Sequence, residues 1–547
     1  MASGSPAMSC TEAAVRQDKS SIMNIVDHLG ISDYSVIIVY LILLLAIGFW
    51  ASRRSNQLGG DLFLGGRQLK WHTVGLSMWG TNVSPSMLIA TASLAYSTGL
   101  VGGNFSWLTF PILLMLSKIF VPRYLHARIH TTPEYLSFRF NQTTRDIVAI
   151  YALVSILILW LGGTLYAGGI IVSQMLDWPL WLSVSLLMIV SMSFTITGGL
   201  TAVAYTDAFQ MILLIIISLA LLILGVSAAG GLEQVYSSAP EHYWHLLLPA
   251  SDDTYPWYAL ILGYPVLGIW FWCTDQTIVQ RALGAKGIQQ AQKGVLFTAG
   301  LKILDTFLFV MPGIICFLLF PDLNNPDEAF LTLSMEVLPP GLFGLAVIAI
   351  LASLISTIDS GLNSLSTVFI LDVCKRKTNP HLHKISERKL GQWVTLLGAV
   401  LAVLMAVLLQ RVEKDLFGLL QSIISYLAPP MSVVFLTGVL WKKATSKAAN
   451  LTLVFGFALC FVVAILDLGG FPYKGFIPPY LLMSFYLFAF LSAFMVSVSL
   501  ITGKEEDKRK FIPLGTVYRQ LGIFPAGSIG IWMLIALVLV ALYVFFN

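Results

Sequence analysis

Long apolar runs alternate with short polar stretches along almost the whole chain. Fourteen runs are about 20 residues or more, the length that crosses a bilayer as a helix. They lie near 34–52, 72–95, 104–121, 146–174, 179–197, 203–227, 256–274, 292–320, 341–373, 391–410, 415–440, 449–468, 478–502 and 525–546. The chain is 57% hydrophobic and 11% charged, whereas a soluble domain carries about 25% charge. A soluble core cannot absorb that much apolar surface, but lipid can. The pattern predicts an all-α polytopic membrane protein of about fourteen transmembrane helices. Its organisation reads as a tail (1–33), a leading helix (34–52), a ten-helix core (72–440) and three further helices with a loop (449–547).

Charge orients these spans. From Asp146 to Gln280 there is no Lys or Arg. Elsewhere basic residues cluster after every second span: Arg53, Arg54, Arg67 and Lys70; Arg123, Arg128, Arg139 and Arg145; Arg281, Lys286 and Lys293; Lys375 to Lys389; Lys442, Lys443 and Lys447; and Lys504 to Arg519. The intervening loops 228–255 and 321–340 carry Glu233, Glu241, Asp252, Asp253, Asp322, Asp327, Glu328 and Glu336 with no Lys or Arg. Cytoplasmic loops collect Lys and Arg, so the basic loops are expected inside and the N-terminal tail outside. Arg411 and Lys414 are a small exception. Trp50, Trp71, Trp178, Trp181, Trp257 and Trp441 sit near span ends, as interfacial anchors do. The net charge of +4 is loop asymmetry and points to no nucleic-acid partner. The five cysteines have no metal-ligand spacing and give no disulfide framework. No cleaved signal peptide is expected. The compact loops suit a bacterial inner membrane or a plasma membrane.

Two spans are interrupted. The first core span contains Trp79-Gly80-Thr81-Asn82-Val83-Ser84-Pro85-Ser86, which is polar and helix-breaking. The sixth contains Gly263, Pro265 and Gly268 before Trp270 and Trp272, which predicts a second break there. Free backbone carbonyls in lipid are tolerated only where protein or a cavity surrounds them. Broken spans at matching places in two halves mark the ion and solute site of an inverted-repeat transporter. Either break alone reads first as a Pro/Gly kink satisfied by packing, and it is the matched pair that points to a site.

At these residues the chain resembles the sodium/solute symporter family, and within it the sodium/glucose cotransporter branch. The signatures are Trp272-Cys273-Thr274-Asp275-Gln276 running into Ile278-Val279-Gln280-Arg281; Gln421-Ser422-Ile423-Ile424-Ser425-Tyr426-Leu427 with Pro429-Pro430; and Thr197-Gly198-Gly199-Leu200-Thr201-Ala202-Val203 with Thr206-Asp207. The resemblance implies a five-plus-five inverted repeat of the leucine-transporter type and sodium-coupled import by alternating access. It also implies a sodium site made of the carbonyls of Gly80, Val83 and Ser353 and the side-chain oxygens of Ser356 and Thr357. The span 341–373 supports this with Ser353, Ser356, Thr357, Asp359, Ser360, Asn363, Ser364, Ser366 and Thr367. Such residues serve equally for close helix packing. A second sodium, or a proton in its stead, is expected near Asp207, Asp359 and Ser360. A carboxylate in mid-membrane costs roughly 2.5–3.5 kcal/mol on insertion scales and needs a partner or a task.

For the solute, the resemblance implies contacts from Asn82, Trp272, Lys302 and Gln421, with Phe105 and Ser106 at neighbouring positions and Trp107 and Thr109 as further lining candidates. An amide donates and accepts at once, which suits a polyol, and an indole face suits the C–H side of a sugar ring. The chain departs from the sugar pattern at Met87, Ser106, Gly268 and Phe271, which mostly lack the branch's polar groups. Asp305, which the family does not normally carry, stands three residues after Lys302 on one helical face. The leading expectation is therefore a sugar or polyol. Monocarboxylate, sialic acid or vitamin-like solutes, and a ligand-gated sensor that does not transport, remain alternatives. An intramembrane enzyme is disfavoured: no Gly-x-Gly-Asp surrounds Asp359, and neither His-Glu-x-x-His nor a nucleophile elbow occurs.

Overall fold

The structure is a computed structural model and describes residues 29–57, 62–176, 178–375, 386–410, 416–473, 476–503, 510–522 and 528–547. The expected N-terminal tail, and the basic residues between 376 and 385, 411 and 415, and 504 and 509, lie outside the described residues. Helices make up the described residues, with two isolated β-bridges and no named strand among them. The helices that position the site are α1 (Ile31–Gln57), α2 (Trp71–Asn82), α3 (Pro85–Thr98), α4 (Leu180–Ala228), α5 (Trp257–Gly268), α6 (Gln276–Leu283), α7 (Ile288–Asp305), α8 (Leu342–Val368) and α9 (Leu416–Leu440).

Eleven helical stretches among the described residues are long and apolar enough to cross a bilayer, and two of them, Met87–His126 and Leu180–Ala228, are kinked stretches of 40 and 49 residues. Their breaks and lengths relate these stretches to the fourteen expected spans. The first core span is split into α2 and α3. The spans 179–197 and 203–227 are two helices that meet at a kink at Gly199 (φ 52°, ψ −144°) and are named together here as α4. The last, Ile529–Phe545, has 17 residues. At Gly199 a side chain is excluded twice: φ is left-handed, and a Cβ would run into the Leu62 backbone, whose carbonyl accepts from Leu200 N–H at 2.9 Å.

The break between α2 and α3 falls where the sequence places it. Ser84 is extended and caps α3, accepting Met87 N–H at 3.2 Å, with Pro85 at the first helical position. The second break is displaced from its expected place. Gly263, Pro265 and Gly268 stay inside α5. Gly263 and Gly268 instead allow close packing, since a Cβ would collide with the Leu481 carbonyl and with Ile112 respectively. The interruption comes later, where a π-turn (Ile269–Thr274) ends at Asp275. Asp275 is extended and caps α6 by accepting Thr277 N–H at 2.8 Å.

Burial separates lipid-facing from protein-facing helices. α1 exposes Ile38, Ile42 and Phe49, whereas the best spanning window of α8 is 83% buried. The Ser, Thr and Asp side chains of α8 between 353 and 367 are thus enclosed by protein, with α4 packed along them. On the side that the charge pattern assigns to the cytoplasm, the segment before α2 is knitted to the end of α6. Leu69 N–H donates to the Gly284 carbonyl at 3.1 Å, Lys286 N–H to the Leu69 carbonyl at 2.8 Å, and Gln280 Nε2 to the Phe63 carbonyl at 2.6 Å.

Candidate ion and solute sites

The break in α2–α3 strips donors from particular carbonyls. In a continuous helix the Gly80, Thr81 and Val83 carbonyls would accept from residues 84, 85 and 87. Here Ser84 N–H turns to the Asn82 carbonyl at 3.0 Å, Pro85 has no N–H, and Met87 N–H goes to Ser84 Oγ. Opposite them, α8 approaches α2 directly: Thr81 Oγ1 and Ser360 Oγ are 2.9 Å apart. Ser356 Oγ donates to Asp207 Oδ1 at 2.6 Å and Thr357 Oγ1 to the Ser353 carbonyl at 2.9 Å, so both hydroxyl oxygens keep lone pairs for a cation. The residues expected to hold sodium therefore present relieved carbonyls at the α2–α3 break and acceptor hydroxyls on α8.

The triad expected for a second sodium is arranged differently. Asp207 is fully buried and its two oxygens accept from Ser356 and from Ser77 Oγ at 2.5 Å. Arg281, counted in the sequence as a loop charge, is a correction: it is 0% exposed and its Nη2 stands 3.7 Å from Asp207 Oδ2. The same nitrogen donates to Ser360 Oγ, and Nε lies 3.3 Å from Ser77 Oγ. Asp207 and Ser360 are thus joined through a guanidinium. Asp359 makes no hydrogen bond to Asp207 or Arg281, although both lie within electrostatic range of it. Ser191 and Thr195 of α4 lie beside it, yet neither of its oxygens has a hydrogen-bond partner at normal geometry.

A cavity of about 1250 Å³ of empty space, its open mouth included, meets the break. Asn82, Phe105, Trp272 and Gln421 line it, and Thr357 brings α8 to its wall. Trp160, Trp270 and Phe271 add aromatic surface, and Phe105 packs edge-on to Tyr255 with centroids 5.9 Å apart. No charged side chain lines the cavity among the described residues. Ser106 and Lys302 are both 2% exposed and stand behind the wall. Lys302 donates to Asn82 Oδ1 at 2.8 Å and is ion-paired with Asp305; Ser106 Oγ donates to Asp305 at 3.0 Å. Trp107 and Thr109 are not among its lining residues: Trp107 donates to the Ile303 carbonyl at 3.2 Å, and Thr109 bonds the hydroxyl of the lining residue Tyr264 at 2.5 Å.

Helices lacking strands, a relieved break and an oxygen-rich partner helix narrow the comparison with known proteins. A family model described as the sodium:solute symporter family matches residues 62–456. The chain belongs to the sodium:solute symporter family. It is a sodium-coupled, multi-pass membrane transporter and not an enzyme. Human sodium/glucose cotransporter 4 is 35% identical over 476 residues, covering 80% of this chain and 69% of that protein. Rabbit (Oryctolagus cuniculus) sodium/myo-inositol cotransporter 2 is 34% identical over 475 residues, covering 80% and 70%. Among solved structures, a substrate-bound, outward-open Na+-coupled sialic acid symporter superposes with a TM-score of 0.74 at 20% identity, covering 86% of this chain and 98% of that one. A closed form of Mhp1, a nucleobase-cation-symport-1 family transporter, gives 0.55 at 13% identity, covering 82% and 97%. Both place the fold among leucine-transporter-like symporters.

Proposed function

We propose that this symporter couples the inward movement of sodium to uptake of an uncharged sugar or polyol. The observation that carries this reading is a cavity with no charged lining among the described residues that reaches the helix break and α8 at one wall, at Asn82 and Thr357. Sodium is held by the carbonyls of Gly80, Val83 and Ser353 and the hydroxyl oxygens of Ser356 and Thr357. Hydroxyl and carbonyl oxygens replace the ion's water shell without adding a countercharge. Asn82 and Gln421 supply hydrogen bonds to solute hydroxyls, and Trp272 and Phe105 supply apolar faces. The names of the glucose and myo-inositol cotransporter relatives support the same solute class. Ion binding between α2 and α8 favours the arrangement in which both helices touch, and solute then completes closure of the gates around it. A second sodium at Asp207, Asp359 and Ser360 is disfavoured, because the Arg281 guanidinium already joins two of the three.

The test is uptake of labelled glucose, galactose and myo-inositol into proteoliposomes with and without a sodium gradient. Ser356→Ala combined with Thr357→Ala removes the sodium dependence on this reading. Uptake that is unchanged when potassium replaces sodium refutes it.

A further inference from the structure

Lys302 and Asp305 are almost completely buried, at 2% and 1% exposure, and stand one layer behind the cavity wall. Lys302 approaches the cavity through two lining residues. It donates to Asn82 Oδ1 at 2.8 Å and lies 5.9 Å from the centre of the Trp272 ring. Its charge is met by Asp305, three residues further along α7. Asp305 is fixed by two more donors from separate elements: Trp79 Nε1 at 2.7 Å on one oxygen and Ser106 Oγ at 3.0 Å on the other. Asp305 thus accepts from an ammonium, an indole and a hydroxyl, and the ammonium is held back from the cavity on a defined path.

We infer that Asp305 is a positioning residue that makes this cavity select uncharged solutes, by pairing with Lys302 behind Asn82 and so withholding a countercharge from the solute. The inference rests on the reading of the cavity as the solute site. Its physical basis is the cost of removing a carboxylate from water without a partner. A hydroxylated ring meets amide and aromatic groups that suit it, and Asn82, with its oxygen engaged by Lys302, turns amide N–H donors to solute oxygens. An anionic solute meets no cation on the wall among the described residues. If Asp305 loses its charge, the ammonium one side chain away becomes available. At an effective dielectric of about 20 and a separation of roughly 7 Å, that change corresponds to roughly tenfold to a hundredfold in relative affinity.

The experiment is competition against sodium-driven uptake of whichever neutral ring solute the wild type carries, using D-glucuronate as the anionic probe and D-glucosamine as the cationic one. Glucuronate competes poorly with wild type. In D305N its half-inhibitory concentration falls at least tenfold relative to that of unlabelled neutral solute. In K302M/D305N, which lacks both charges, the exclusion of glucuronate returns. K302M alone leaves the opposite charge unmatched and shifts competition by glucosamine by a similar factor. It carries the test if D305N does not reach the membrane. Neutral uptake with unshifted competition in both single variants overturns the role of Asp305 and leaves the proposed function standing. A wild type that carries no neutral ring solute, or carries glucuronate itself, overturns both.

Discussion

Removing the Asp207 carboxylate isolates a buried guanidinium. In Asp207→Asn, the hydrogen-bond partners left to Arg281 are neutral, namely the Thr277 carbonyl at 2.5 Å, Ser77 Oγ and Ser360 Oγ, while Asp275 and Asp359 act on it only at longer range. The charges lie 3.7 Å apart with both side chains at 0% exposure, which at an effective dielectric of about 20 corresponds to about 4–5 kcal/mol of attraction. Breaking such a pair from one side costs about 3–5 kcal/mol in measured cases, mostly because one ion is left buried alone. An unfolding entropy of about 2.1 cal/mol/K per residue makes each kcal/mol about 1 °C for a chain of this length. The single variant should therefore lower the apparent melting midpoint by about 4 °C. That figure is a floor, because helices in lipid keep their backbone bonds when they separate. Arg281→Gln should cost a similar amount. The double variant D207N/R281Q, in which neither member of the pair is left without the other, should melt no lower than the worse single variant. Thermal unfolding of the purified protein in nanodiscs, followed by size-exclusion of the folded fraction, reads all four proteins. Because Asp207 also orients Ser356, D207N should raise the sodium concentration for half-maximal uptake. A double variant whose midpoint falls by the sum of the two singles refutes the pairing as the source of the cost.

Two shorter expectations follow from the backbone and the loops. Gly199→Ala forces a side chain into a left-handed position against the Leu62 backbone and should lower the melting midpoint or the folded yield substantially. Gly231→Ala, also left-handed (φ 103°) but with open space around it, should cost only about 1–2 kcal/mol, and equal losses in the two would refute the collision. Between spans, burial raises the Glu134 carboxyl, but the His130 side chain and N–H, the latter at 2.7 Å, together with Arg145, outweigh it and hold the pKa below the usual value. This lowered group contributes stability above its unfolded pKa of about 4.3 and loses it as pH falls through the folded pKa. The melting midpoint should therefore drop less on acidification from pH 5 to 3.5 in Glu134→Gln than in wild type, and parallel curves refute the contribution.

The first helix break was legible because Ser84-Pro85 carries both a cap and a residue without an N–H, so the stop and the restart are written locally. The second was misplaced because Gly and Pro have two uses. Gly263 and Gly268 serve close helix packing, while the interruption belongs to Asp275, whose capping role looks like any other polar residue in a signature. Arg281 was counted with the loop charges because a basic residue at the end of a span has the same spacing whether it turns to water or inward. Only burial against Asp207 separates the cases. For the same reason, helical spacing put Lys302 and Asp305 on one face but did not say that this face lies behind Asn82 and Trp272. The polarity of α8, by contrast, was visible at once, since a lipid-facing helix cannot carry so many hydroxyls.

The knit between Leu69 and the Gly284–Lys286 segment has a consequence for how such a carrier turns over. Its bonds run from main chain to main chain, so they are indifferent to which side chains happen to occupy those positions. Sequence drift can rewrite the inner vestibule without loosening them. Passage toward the cytoplasm then requires the two interrupted helices to peel apart at a seam whose strength is set by geometry, much as a zip yields from its end and not through its teeth.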